Sequence, residues 1–292
     1  MTLPRRVVAE TTYLLTRRCL DRRFYLQPSR ELTQIYLYAL AHAQQKHGVQ
    51  VHAFACMSNH PHEVVTDVHG VLPDFMRDLR REIALAAKEL YKIPENVWAA
   101  TKPSAVELHG QHAELEDVLY TLLNPVAAGL VSHASEWPGA ISLPGMRELE
   151  VRRPDIWFGD GRPEVLTLKI TPPPSWTGTE DDWHEWLAHN LREREETIRR
   201  ERVRRGVGVL GKQRVLQQHP FDRPRDAGTL RSRRHPTIAT GGDGRLMRFV
   251  IGMLREWRRA YFEARERWRV DKAATFPLGS WWVVQRACAQ IA

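Results

Sequence analysis

Thr11–Arg17, with Tyr13, Leu14 and Leu15 between threonines, reads as a strand. Leu32, Ile35, Tyr36, Ala39 and Leu40 then recur at helical spacing. Ser29 stands where an N-cap belongs, and Gly48 ends that helix. Gln50–Met57 and His62–Thr66 read as two strands joined by a tight Ser58-Asn59 turn. Asp74–Tyr91 places Phe75, Leu79, Ile83, Ala86 and Leu90 on one stripe of a helix, and Pro94 breaks the chain after it. Ala105–Leu108 is a short strand. Glu114 to Asn124 reads as a helix that Glu114, Glu116 and Asp117 open and Pro125 stops. Short strands interleaved with helices predict an α+β unit, a small antiparallel sheet with helices packed on one face.

The pattern changes after Trp137. A boundary at Pro138–Pro144 divides the chain into residues 1–144 and 145–292. Residues 145–178 are rich in Pro and Gly, with one short strand at Leu166–Ile170. A long helix runs from Glu180 to about Arg205, with Trp183, Trp186, Leu187, Leu191 and Ile198 as its apolar stripe. Gly206-Val207-Gly208 ends it, Lys212–Gln218 reads as a short helix, and Gly206–Gln218 makes a corner between helices. Pro220–Asp243 is a basic loop. Arg245–Asp271 is a second long helix with Leu246, Phe249, Val250, Met253, Leu254, Trp257, Tyr261 and Trp268 on its apolar side. The closing FPLGSWW segment folds back.

Charge sharpens this division. Of the net +8, residues 1–150 contribute −2 and residues 151–292 contribute +10. The second region is thus expected to be mainly helical and DNA-contacting, since a phosphate-rich partner suits such an asymmetry. Arg231, Arg233 and Arg234, in the basic loop, are the expected phosphate contacts. The tryptophans of the last long helix are expected to face a core instead. The three cysteines are scattered and odd in number, which suggests reduced thiols in a cytoplasmic protein. No apolar run reaches the roughly 18 residues of a membrane span, and the first residues lack the apolar segment of a secretory signal.

The candidate chemistry lies in two short motifs. Met57-Ser58-Asn59-His60-Pro61-His62 sets His60 and His62 two apart on a strand, so they share a face. Two neutral imidazoles make most of a divalent-metal site, or a hydrogen-bonded pair in a polar pocket. Tyr120 and Asn124, four apart on a helix, lie one turn above each other. Asn124 could complete a metal shell through its amide oxygen, or cap the helix end. Tyr120 could attack a phosphorus held by that metal, or pack on the sheet. A free phenol with a pKa near 10 needs activation for such an attack. His109-Gly110-Gln111-His112 reads as a turn, not as ligands.

At these residues the chain resembles the REP-associated tyrosine transposases, the single-tyrosine branch of the His-hydrophobic-His (HUH) nucleases. The resembling stretches are VHAFACMSNHPH from Val51 to His62, the helix from Asp74 to Tyr91, NVW from Asn96 to Trp98, and YTLLNPVAAGLV from Tyr120 to Val131, with TTYLLTRR fitting the opening strand. They span roughly the first 140 residues. The resemblance implies a ferredoxin-like palm, Mg²⁺ or Mn²⁺ on His60, His62 and Asn124, and Tyr120 as nucleophile. The implied substrate is single-stranded DNA beside a hairpin, cut and rejoined through a 5′-phosphotyrosine. Imidazole softness favours Mn²⁺ and availability favours Mg²⁺. A homodimer stays open. Ser58 stands where the family usually has proline, Pro61 fills the hydrophobic position between the histidines, Glu63 replaces a usual leucine, and Ala127 a common arginine. Pro61 suits only an edge strand or a bulge. Glu63 should face away from the metal. Two alternatives remain: a domesticated or decayed member that mainly binds hairpin DNA, and a phosphodiesterase that uses water.

Overall fold

The computed structural model describes residues 4–156, 161–224 and 237–291. Arg231, Arg233 and Arg234 lie outside these residues. In chain order the elements that build the body are β1 (Thr11–Thr16), α1 (Arg30–His47), β2 (Gln50–Met57), β3 (His60–Asp67), α2 (Leu72–Tyr91), β4 (Ser104–Leu108) and α3 (Gln111–Ala127). They continue as β5 (Glu148–Arg152), β6 (Val165–Lys169), α4 (Glu180–Arg204), α5 (Lys212–Leu216), β7 (Ile238–Ala239) and α6 (Gly244–Val270). The sheet order is β2-β3-β1-β4-β7. β2, β3, β1 and β4 each pair antiparallel with their neighbours, and β7 adds to β4 in parallel. Connectivity β1-α1-β2-β3-α2-β4 with that order is the ferredoxin-like arrangement, so the fold is α+β as expected.

Local signals set several boundaries. Ser29 Oγ accepts from Leu32 N at 3.1 Å, and Gly48 closes α1 with φ of 65°. The α2 helix starts two residues before the expected Asp74. Buried Asp67, at the end of β3, accepts from Val71 N at 2.9 Å and Leu72 N at 2.8 Å, so a strand carboxylate satisfies the first amides of the helix. At Thr179 a capping box with Asp182 opens α4.

Helices cover both faces of the sheet, not one. Leu15, Phe54, Cys56 and Val65 belong to one core with Ile35, Tyr36, Leu79 and Ile83 of α1 and α2. Ala53, Ala55, Met57, Val64 and Val106 belong to a second core with Val118, Leu119 and Leu122 of α3. Seven of the eight residues in each of β2 and β3 are buried, a run that only cover on both faces satisfies. The expectation of one covered face follows from the first two helices alone.

Packing does not break at residue 144, where composition and charge do. Val151, Leu166, Leu168 and Ile170 join the core of α1 and α2. Bridges Ala55↔Ile141 and Val51↔Ile170 extend the outer edge of β2. Trp183, Leu187 and Leu191 of α4 pack in the α3 core. The α6 helix mostly forms its own cluster, Val250, Leu254 and Trp257 with Ile238. Phe249, expected on its apolar side, is 68% exposed.

The α3 helix also departs from expectation, because Pro125 lies inside it. A proline so near the end costs a single intrahelical bond. Pro125 is buried, and the last turn closes through Ala128 N to Asn124 O and Leu130 N to Pro125 O, each 2.9 Å. Among the described residues no helix is long and apolar enough to cross a membrane.

Candidate active site

The tight turn at Ser58-Asn59 delivers the chain into β3 at His60. Strand alternation then sends His60, His62 and Val64 to the α3 face, and Glu63 and Val65 to the α1–α2 face. The two imidazoles meet with ring centroids 4.7 Å apart. Across the sheet His62 pairs with Ala55 on β2 and Thr16 on β1, and small Ala55 leaves room on that face. From above, α3 brings the Tyr120 ring to 5.5 Å from His62 at 88°, edge to face. Tyr120 remains 50% exposed, so a substrate can reach its hydroxyl.

Neighbouring polar groups hold both histidines. Thr16 Oγ1 lies 3.1 Å from His62 Nδ1. Nε2 of His62 is buried and has no hydrogen-bond partner. Asn59 Oδ1 lies 2.6 Å from His60 Nδ1, and Asn59 Nδ2 donates to Arg22 O at 3.2 Å. That second bond turns the amide oxygen toward His60, which must then carry its proton on Nδ1. Each ring can thus offer Nε2 as a lone-pair donor. Burial lowers the His60 pKa to about 4, with Arg18 adding to the effect. Burial, then the neighbouring His60 and Arg18, hold His62 well below its ordinary value. Both rings are neutral at pH 7, the form that binds metal.

Asn124 stands one turn beyond Tyr120. Its Nδ2 donates to Tyr120 O at 2.9 Å, which holds the side chain to its own helix and leaves the amide oxygen out of that bond. It lies within α3 and does not cap it. Ring contacts unite His60, His62 and Tyr120, whereas the recorded bond of Asn124 runs to the backbone carbonyl of Tyr120 and not to either histidine. Among the described residues no group of three or more His, Cys, Asp or Glu could hold a metal. A further protein ligand for a metal at the His pair would have to be of another kind, as the Asn124 amide oxygen would be. The orphaned Nε2 of His62 fits that use, because an unpaired buried nitrogen is otherwise a cost. His109 lies 3.3 Å from Glu107, and Gly110, with φ of 85°, precedes α3 as the expected turn.

The departures from the family pattern have local explanations. Pro61 pairs only with Cys56, whose amide points away to Ala140 O at 2.8 Å. The Pro61 nitrogen therefore faces the β1 side, where β1 has ended opposite His62. The β1–β3 ladder stops at Thr16 and His62, so the missing amide of Pro61 breaks none of its paired bonds, and the two chains meet again where Cys19 N donates to Asn59 O at 2.8 Å. Glu63 is fully buried on the far face, taken by Arg80 Nη1 at 2.7 Å and Nη2 at 2.5 Å, with Tyr36 donating at 3.0 Å. Ser58 Oγ donates to Gln218 Oε1 at 2.6 Å. Nothing in the structure explains Ala127, which is exposed. Thr16 and Asn59 are site residues that sequence reasoning misses. Asn59 sits beside the motif, but Thr16 is only brought there by strand register.

The sequence matches no protein-family model. No curated protein matches it either. Among solved structures, a REP-associated tyrosine transposase bound to a REP hairpin aligns over 48% of this chain and 81% of its own, at 17% identity and a TM-score of 0.41. A Deinococcus radiodurans R1 protein provisionally assigned as a transposase aligns over 41% of this chain and 95% of its own, at 19% identity and a TM-score of 0.29. The functional reading rests on the site itself.

Proposed function

We propose that this chain is a metal-dependent, single-tyrosine strand-transfer enzyme that cuts and rejoins single-stranded DNA beside hairpins. The observation that carries the reading is the buried, unpartnered Nε2 of His62 beside the half-exposed Tyr120 ring. His60, His62 and the Asn124 amide oxygen would hold Mg²⁺ or Mn²⁺. Such a cation, when bound, neutralises charge on a scissile phosphate. The chain's own groups do the rest. Thr16 and Asn59 fix the imidazoles, and α3 presents the Tyr120 hydroxyl to the substrate side. The phenol oxygen forms a bond to phosphorus, and the bond from phosphorus to the 3′ oxygen breaks. The phenol proton leaves to solvent, and the 3′ oxygen takes up a proton. A 5′-phosphotyrosine and a free 3′-hydroxyl result. Attack by a 3′-hydroxyl reverses the step and rejoins DNA without ATP, because the phosphodiester energy is conserved. The hairpin preference comes from the sequence resemblance.

Pro61 and Glu63 motivate the reading as an inactive, hairpin-binding relative. Both point away from the face of β3 that carries His60 and His62, which supports the catalytic reading. Incubation of the purified protein with single-stranded hairpin oligonucleotides and Mn²⁺ tests the proposal. A covalent protein–DNA species on a denaturing gel supports it. Cleavage without such a species favours hydrolysis by water and overturns it.

A further inference from the structure

A cleft of about 1130 Å³ opens beside His60. Its floor is the β2–β3 turn, and one wall is the loop carrying Arg23 and Phe24. Residues 210–224, hydrogen-bonded alongside that loop, contribute Arg214, Phe221 and Arg223 to the lining. These lie beyond the stretch that resembles the transposases. Six hydrogen bonds fasten this segment in place. They are Ser58 Oγ to Gln218 Oε1 at 2.6 Å, Gln27 Nε2 to Leu216 O at 2.8 Å, Arg23 Nη1 to Phe221 O at 2.7 Å, Phe24 N to Asp222 O at 2.9 Å, Leu210 N to Gly129 O at 2.8 Å and Gly211 N to Leu130 O at 2.9 Å. The cleft is thus built by the fold.

Its chemistry is that of a polyanion site. Three arginines face it against one carboxylate, Asp222. Arg23 is spent in part on Phe221 O, whereas Arg214 and Arg223 stand exposed at the rim. Phe24 is partly exposed and offers an apolar ring for an unpaired base, while Phe221 rests edge-on against Tyr25. The volume exceeds the roughly 300–1,000 Å³ of ordinary small-molecule sites, which suits several units of a polymer. His60 itself is part of the lining.

We propose that this cleft holds the single-stranded DNA next to the scissile phosphate, with Arg214 and Arg223 on its phosphates. The inference rests on the strand-transfer reading of the His60–His62–Tyr120 site. It also gives the basic second region a defined role, because residues 210–224 supply a wall of the substrate channel.

The test uses full-length protein, fluorescein-labelled oligothymidine and a blunt DNA hairpin, with binding followed by fluorescence anisotropy in EDTA. Arg214→Glu combined with Arg223→Glu should weaken oligothymidine binding by about tenfold or more and lower the salt slope by about 1.4, that is about 0.7 per lost phosphate contact. Blunt-hairpin binding should change by less than about twofold by the same contact logic. Lysine at both positions should restore most of the affinity, which separates charge from misfolding. Unchanged oligothymidine affinity and slope would overturn the proposal, as would an equal loss for the blunt hairpin. Covalent adduct formation by the wild type with Mn²⁺ is scored separately. Its absence sinks the strand-transfer reading, while the EDTA binding data still decide what the cleft takes.

Discussion

The hydroxyl of Thr16, at the end of β1, lies 3.1 Å from Nδ1 of His62 on the neighbouring strand. The contact leaves Nε2 of that buried ring facing the site with no partner. Groups that orient a metal-ligating histidine typically contribute roughly 10–100-fold to metal affinity. Thr16→Val keeps the shape and removes the hydroxyl. It should weaken Mn²⁺ binding by about tenfold or more in calorimetry, with the melting temperature little changed. Equal affinity in the variant would show that Thr16 does not position His62.

The pair Glu63 and Arg80 makes a different prediction. Both are buried and joined through two hydrogen bonds. Removing one partner leaves an uncompensated buried charge. Arg80→Met should therefore cost about 3–5 kcal/mol in urea unfolding. Replacing both, Glu63→Leu with Arg80→Met, should recover most of that loss, since buried ion pairs exchange for apolar groups nearly neutrally. A double variant no more stable than Arg80→Met alone would contradict this account of Glu63.

Acid should destabilise the protein partly through His52. Its Nδ1 lies 2.9 Å from Thr171 O and its Nε2 2.8 Å from Thr66 Oγ1, an arrangement suited to the neutral ring. Burial lowers its pKa to about 4, below the ordinary 6.5, partly opposed by the Thr171 contact. The unfolded state then binds more protons between those values, so the stabilisation is complete above about 6.5 and is lost as pH falls through about 4. Metal-free wild type should lose more stability than His52→Gln between neutral and acidic buffer, read from urea midpoints. Equal losses would remove His52 as the cause.

Much of this fold is written locally in the sequence. Ser29 and Gly48 mark α1, the apolar run Gln50–Met57 marks β2, and Thr179 opens α4. What escapes is non-local. Asp67 caps α2 from the end of a strand, and Pro125 survives in α3 because the core holds it. A Pro- and Gly-rich stretch suggests a boundary near residue 144, yet Leu168 and Trp183 are core residues of the palm layers. The site follows the same division. Spacing alone puts His60 and His62 on one face, whereas Tyr120 meets His62 only through the docking of α3, and Thr16 only through register.

That shared core bears on truncation. Removing residues 145–292 strips Val151, Leu166, Leu168 and Ile170 from one side of the palm and Trp183, Leu187 and Leu191 from the other. The remaining fragment should aggregate or unfold without cooperativity, as followed by circular dichroism and size-exclusion chromatography. A fragment that melts as sharply as the full chain would show that the first 144 residues fold alone.

The most direct test of the central claim is where DNA becomes attached. Wild-type protein is incubated with a single-stranded hairpin oligonucleotide and Mn²⁺, digested, and mapped by mass spectrometry, alongside Tyr120→Phe. The account predicts a 5′-phosphodeoxynucleotide on Tyr120, and no adduct in Tyr120→Phe although that variant still binds the oligonucleotide. An adduct on any other residue, or one of full strength in Tyr120→Phe, would contradict it.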